Sequence, residues 1–142
     1  MRVIHHSAIC VRDVEASLRF WRDGLGFEVT MDQRFKGDWP TLLHGPSTQL
    51  RSIFLGDPGH AASGTVELVD LGEVEGPAVG GGPAAAGFLL LSIECDLKKT
   101  LTRLEEVGLG GPPRRIEAYG TAMAVVADPD GVLVELIDVG ER

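Results

Sequence analysis

Two glutamates stand where a strand would be expected to carry an aliphatic residue: residues 66–70 read VELVD, and residues 134–138 read VELID. Glutamate is depleted in strands, and a carboxylate among apolar groups is costly unless it is paired or ligates something. On a solvated face either glutamate alone would be ordinary, but the repetition argues for a shared task. If Glu67 and Glu135 both turn inward, they repel each other and need a proton or a cation between them. That is the chemistry of a general base or of a metal site. Near the start stand two histidines, His5 and His6, the residue type that carries protons and binds metals near neutral pH. Adjacent strand residues point to opposite faces. His6 then shares a face with Ala8 and Cys10, small residues that suit a pocket wall, and His5 shares the helix-facing side with Ser7, Ile9 and Val11.

Further polar residues are candidates to line a cavity, namely His44, Gln49, Arg51, Arg114 and Tyr119, although a solvated role is the expectation for each. Trp21 falls on a helical stripe and is read as core. Trp39, which precedes Pro40 in an expected loop, is a candidate for substrate contact. Cys10 and Cys95 have no metal-type spacing and read as small buried strand residues rather than a redox pair.

The elements that must position these residues occur twice. "VIHHSAICV" has strand composition, Asp13 is a helix N-cap, and Val14, Ser17, Leu18 and Trp21 follow on one helical face. Gly24 is expected to close that helix in a left-handed cap. Strand-like segments follow at about 27–33, 41–45, 49–55 and 64–70, of which three are expected to survive. After a Gly, Pro and Ala stretch at 72–87, the plan restarts with "FLLLSIEC". Asp96 caps a second helix with Leu97, Leu101, Leu104 and Val107 on one face, closed by Gly108. "RRIEAY", "TAMAVVAD", the tight turn DPDG and "VLVELIDV" complete it, the last two strands forming a hairpin. The fold class is α+β, with two β-α-β-β-β modules in one domain: module one about 1–71, a linker about 72–87, and module two about 88–142. The linker has no phosphate-loop lysine and is read as a connector or flap.

At 142 residues the chain is long enough for a real core. A net charge of −8 argues against nucleic acid as a partner. No apolar run reaches the ~18–20 residues that span a bilayer, and "MRVIHHSAICV" lacks the apolar stretch of a signal peptide, so a cytoplasmic protein is expected.

The stretches "HHSAICVRDVEASLRFWRDGLGF", "VELVD" and "DPDGVLVELID" together resemble the vicinal-oxygen-chelate superfamily, which includes glyoxalase I, methylmalonyl-CoA epimerase, extradiol dioxygenases and the fosfomycin and bleomycin resistance proteins. The resemblance covers essentially the whole chain. It implies that the paired modules curl into a half-open barrel, with the ligands of one divalent metal on its concave side, and that the protein is a homodimer. The family's first ligand, a histidine seven positions before the capping aspartate, corresponds to His6. The closing glutamates of the modules correspond to Glu67 and Glu135. The fourth position, seven before Asp96, is Leu89, where the family has histidine, and Phe88, Leu90 and Leu91 offer no substitute.

Three readings follow from this resemblance. The first is a lyase or isomerase that acts on a small oxygenated substrate through an enolate, with His6, Glu67 and Glu135 holding Mn, Fe, Ni or Zn and Glu67 or Glu135 moving the proton. The second is a metal-free small-molecule or antibiotic-binding protein of the bleomycin-resistance type, with Leu89 as one apolar wall. An extradiol-type dioxygenase ranks last, because Leu89 removes one member of its metal-binding triad.

Overall fold

The computed structural model describes residues 1–60, 62–76 and 84–140. It contains two mixed four-stranded sheets that repeat one plan. In the first, β1 (Ser7–Cys10) pairs in parallel with β4 (Val66–Asp70), and β3 (Gln49–Gly56) and β2 (Glu28–Lys36) continue antiparallel. In the second, β5 (Leu91–Cys95) pairs in parallel with β8 (Leu133–Asp138), followed by β7 (Thr121–Ala127) and β6 (Arg114–Ala118). The order β1-β4-β3-β2 matches β5-β8-β7-β6, so the two β-α-β-β-β modules are present. By contact the chain divides into two compact units, Met1–Leu18 with Phe27–Gly76, and Arg19–Gly26 with Pro77–Arg142.

In the first unit, strand alternation sorts residues onto two faces. Ile9, Val11, Ile53, Leu55 and Leu68 are buried on one, where α1 (Val14–Leu18) contacts β4 and buries Ser17 and Leu18. The opposite face carries Ala8, Ser52, Phe54 and Glu67, because Ala8 and Phe54 lie directly across from Glu67 on its two neighbours. Further along that face Leu50 and Val69 form a small cluster with Leu71, against which Trp39 and Val74 pack.

The second unit buries Ala124, Val126, Val134 and Leu136, with α3 (Leu97–Val107) contributing Leu97, Thr100 and Leu104. Asp96 caps α3 by accepting from Lys99 N at 3.1 Å, and Gly108 ends it at φ 69°, both as the sequence indicates. Lysines at the start of α3 and glutamates at its end oppose the helix dipole. Its buried stripe and its caps therefore hold it.

Several expectations need correcting. The first helix is α-helical only to Leu18, and Arg19–Gly24 forms a π-helical turn that belongs to the second unit. There Phe20 and Trp21 are fully buried, and the Trp21 indole donates to Asp128 Oδ2 at 3.4 Å. The wider turn moves the left-handed glycine from Gly24 to Gly26, at φ 87°. Gly24 instead lies where a Cβ would come within 2.5 Å of Leu104 Cδ2. Residues 41–45 are not a strand: Asp38 caps α2 (Trp39–Leu43), with Pro40 in the first turn. The other three strand segments of module one survive as β2, β3 and β4. Of the linker, residues 77–83 lie outside the described residues. Cys10 is exposed and Cys95 half-buried, its thiol pKa raised by burial, so neither is the enclosed strand residue expected. No helix among the described residues is long and apolar enough to cross a membrane.

Candidate functional site

Glu67 sits mid-strand in β4, and the sheet presents three partners to it. His6 Nε2 lies 3.2 Å from Glu67 Oε1, and Ser52 donates its hydroxyl to Glu67 Oε2 at 2.5 Å. The Phe54 ring, directly across the ladder, lies 5.2 Å from the His6 ring. Ser52 is 2% exposed, so its hydroxyl is fixed in the wall of the site while His6 remains about one-third open to solvent. Glu67 thus has one oxygen anchored and the other turned to the imidazole.

His5 and His6 precede the first ladder pair of β1, so strand alternation does not extend to them. His5 is not on the helix-facing side. Its Nδ1 lies 2.7 Å from His6 Nδ1, and its ring stands edge-on to His6.

Glu135 occupies in β8 the place that Glu67 holds in β4, and Ser92 donates to its Oε1 at 2.9 Å. The two serines arrive differently. Ser92 is directly opposite Glu135 on the parallel neighbour, whereas Ser52 comes diagonally from the antiparallel strand, where it pairs with Val69. Both were missed from sequence. The available signal was alternation: each is a hydroxyl in a strand of aliphatic residues.

The ladder also corrects the vacated position. Ala8 pairs with Glu67 and Ser92 with Glu135. His6 stands two positions before Ala8 and Leu90 two positions before Ser92, so by this register the counterpart of His6 is Leu90 rather than Leu89. Counting from the capping aspartates fails by one, because Asp13 comes five positions after Ala8 whereas Asp96 comes four positions after Ser92. Leu89 is more than half exposed, and Leu90 is partly buried.

Among the other candidates, Arg114 lies on the Glu135 face, since it pairs with Val125 and Val125 with Glu135. Arg51 lies on the face opposite Ser52 and makes a two-pronged pair with Asp32 at 2.8 and 2.9 Å, which lowers the Asp32 pKa. Gln49 and Arg51 line a small cavity of about 150 Å³ together with Arg34, Leu50, Asp70 and Leu71. His44 ends α2 in a left-handed cap, and Tyr119 is a fully exposed turn residue at φ 54°. Trp39 is half-buried and donates to Phe35 O at 3.1 Å, a packing role.

The first unit brings together two donors, an imidazole nitrogen and a carboxylate oxygen, of the kind a divalent cation takes. Two ligands each about 2.1 Å from one ion, at angles between octahedral and tetrahedral, stand about 3.0–3.4 Å apart. The 3.2 Å between His6 Nε2 and Glu67 Oε1 falls in that range. Among the described residues, however, no three His, Cys, Asp or Glu side chains form a group that could hold an ion. The structure brings His6 and Glu67 together; Glu135 is on the sheet of the other unit.

Comparison with known proteins agrees with the architecture. The lactoylglutathione lyase-like protein terB of Aspergillus terreus is 32% identical over 147 residues, covering 94% of this chain and 74% of its own length. The crystal structure of a glyoxalase family protein from Enterococcus faecalis is 25% identical with a TM-score of 0.65, covering 96% of this chain and 97% of its own. The trypanothione-dependent glyoxalase I of Leishmania major shares the fold, with 24% identity, a TM-score of 0.67, and coverage of 97% and 87%. The Glyoxalase/Bleomycin resistance protein/Dioxygenase superfamily matches residues 3–136, and with two β-α-β-β-β modules closed by equivalent glutamates, the chain belongs to that superfamily.

Proposed function

We propose that this protein is a glyoxalase-like lyase or isomerase that uses a divalent metal (Mn, Fe, Ni or Zn) to move a proton on a small oxygenated substrate through an enolate. The observation that carries the reading is the His6–Glu67 pair, spaced at 3.2 Å as two ligands of one ion are. His6, Glu67 and Glu135 are the proposed ligands. A divalent ion there would supply positive charge opposite the substrate oxygen on which negative charge develops. The chain's own groups do the rest. Ser52 holds Glu67 Oε2 and so orients Oε1, and His6 keeps that oxygen directed. Glu135 is held through Oε1 by Ser92. Its other oxygen has no partner among the described residues, which favours Glu135 over Glu67 as the proton acceptor. A homodimer in the cytoplasm belongs to the same reading.

Leu90 at the position level with His6 favours a second reading, a metal-free small-molecule binder of the bleomycin-resistance type, and it leaves an extradiol-type dioxygenase as the weakest alternative. Proton chemistry separates the first two. The metal-supplemented protein is incubated in D2O with lactoylglutathione and related 2-hydroxyacyl thioesters, and NMR follows the C2 proton. The lyase or isomerase reading expects deuterium at C2 for at least one of them, lost in Glu135→Gln. Saturable binding of these compounds with no exchange in any would support the binder instead.

A further inference from the structure

We propose that the edge strand β2 pairs with β2 of a second copy, antiparallel about a two-fold axis at Gln33, joining two four-stranded sheets into one. The inference rests on the homodimer reading above and depends on neither the metal nor the reaction. β2 ends the first sheet and is laddered to β3 alone among the described residues. One row of its backbone N–H and C=O groups therefore has no strand beside it. The strand has nine residues and no proline, and every one of them but Met31 is exposed. Phe35, an aromatic residue, is left 38% exposed. Arg34 stands directly opposite Arg51 and makes no hydrogen bond or ion pair among the described residues, whereas Arg51 is held by Asp32.

Symmetry and charge select the register. A two-fold axis relating adjacent antiparallel strands stands perpendicular to the sheet and keeps each side chain on its own face. Directly opposite residues share a face, so the axis must pass through a residue rather than between two. Centred on Asp32, the pairing sets two carboxylates against each other and runs through the register shift between Val29 and Met31. Centred on Arg34, it sets two guanidinium groups together, and like charges directly opposite destabilise a sheet. Centred on Gln33, it sets Asp32 against the partner's Arg34 and Met31 against the partner's Phe35, each twice. The Gln33 amides meet at the axis, where each can donate and accept. This pairing occupies 31–35, clear of the register shift. Asp32 already accepts from Arg51 through both oxygens, and its remaining lone pairs can take a second guanidinium.

Sedimentation of the full chain over a range of concentrations tests this, with circular dichroism confirming that each variant folds. Arg34→Asp sets a second carboxylate against the partner's Asp32 and should weaken the dimer roughly tenfold or more. Asp32→Lys should weaken it in the same way with the opposite sign. An equimolar mixture of the two variants restores unlike charges at both places, so it should form a heterodimer under conditions where neither variant pairs with itself. A cross-link reads the register. Directly opposite Cα atoms of antiparallel strands lie about 4.5–5.5 Å apart, within reach of a disulfide. In a Cys10→Ser background, mild oxidation should link two chains of Gln33→Cys and should not link two of Lys36→Cys. If a charge variant fails to fold, the cross-link decides. A dimer of unchanged strength in both charge variants, no heterodimer in their mixture, or no link in Gln33→Cys overturns the inference and leaves the homodimer to another surface. An unmutated chain that stays monomeric at every concentration overturns the inference and the homodimer together, and leaves the metal reading standing.

Discussion

At the scale of single residues, the site depends on a few hydroxyls and carboxylates whose partners are fixed by the ladder. Ser52 is buried and donates to Glu67, so Ser52→Ala removes the anchor of that carboxylate. We expect a loss of about 1 kcal/mol in stability, measured by urea unfolding, with a larger loss in Ser52→Val, which adds apolar bulk beside the carboxylate. Asp128 offers a pH test. Burial raises its pKa above 3.8, although it accepts from the backbone N–H of Asp130 and Val132, both at 2.8 Å, and from the Trp21 indole. A raised carboxylate pKa means that the folded state binds the proton more tightly than the unfolded state. Its stabilising contribution is therefore present at low pH and is lost as pH rises from 3.8 through the folded value. Melting curves between about pH 4 and 7 should show the advantage of wild type over Asp128→Asn shrinking as pH rises. An advantage that grows with pH would mean that Asp128 is stabilised as the anion. The sequence made Glu67, Glu135 and His6 legible because of residue type and repetition. Ser52, Ser92 and Asp128 were not legible, since serine in a strand and aspartate in a turn are common and only the register shows what they face.

At the scale of elements, most of the plan could be read from capping and periodicity. Asp96, the α3 stripe and Gly108 together define a helix whose limits the structure reproduces. Asp138 reinforces its start by accepting from Leu97 N at 3.1 Å, which holds the Asp138 pKa down and gives the last letter of VELID a structural task. Asp96→Ala should cost about 1 kcal/mol, the usual value of a side-chain N-cap, and amide exchange at Lys99 N should quicken. Segment 41–45 misled because its aliphatic residues also suit a strand, whereas Asp38 and Pro40 together mark a helix start. The π-helical turn had no sequence signature. Its consequence is testable at Gly24, whose added Cβ would meet the buried Leu104. Gly24→Ala should destabilise by about 1–3 kcal/mol through overpacking. A neutral result would show that α3 shifts freely against the turn.

At the scale of the whole molecule, the doubled module is the main lesson of the chain, and its copies are not in step by one residue. Sequence spacing alone aligned the capping aspartates, which made Leu89 the vacated position. The parallel pairings of β1 with β4 and β5 with β8 make it Leu90. The two alignments predict different outcomes for the same substitution. Leu90→His should tighten metal binding relative to wild type and, without metal, cost about 1 kcal/mol for a half-buried imidazole lacking partners. Leu89→His, on a mostly exposed residue, should change neither. The reverse pattern would restore the count from the helix cap.

His6 Nε2 and Glu67 Oε1, 3.2 Å apart, are the proposed ligands of a divalent cation. Calorimetric titration of Mn or Zn into metal-stripped protein tests this assignment directly, with His6→Ala and Glu67→Ala run beside the unmutated chain and circular dichroism confirming that both variants fold. Saturable binding at one site per chain is expected, weakened at least tenfold in each variant. Binding of equal strength in both folded variants, or no binding in the unmutated protein, would contradict it.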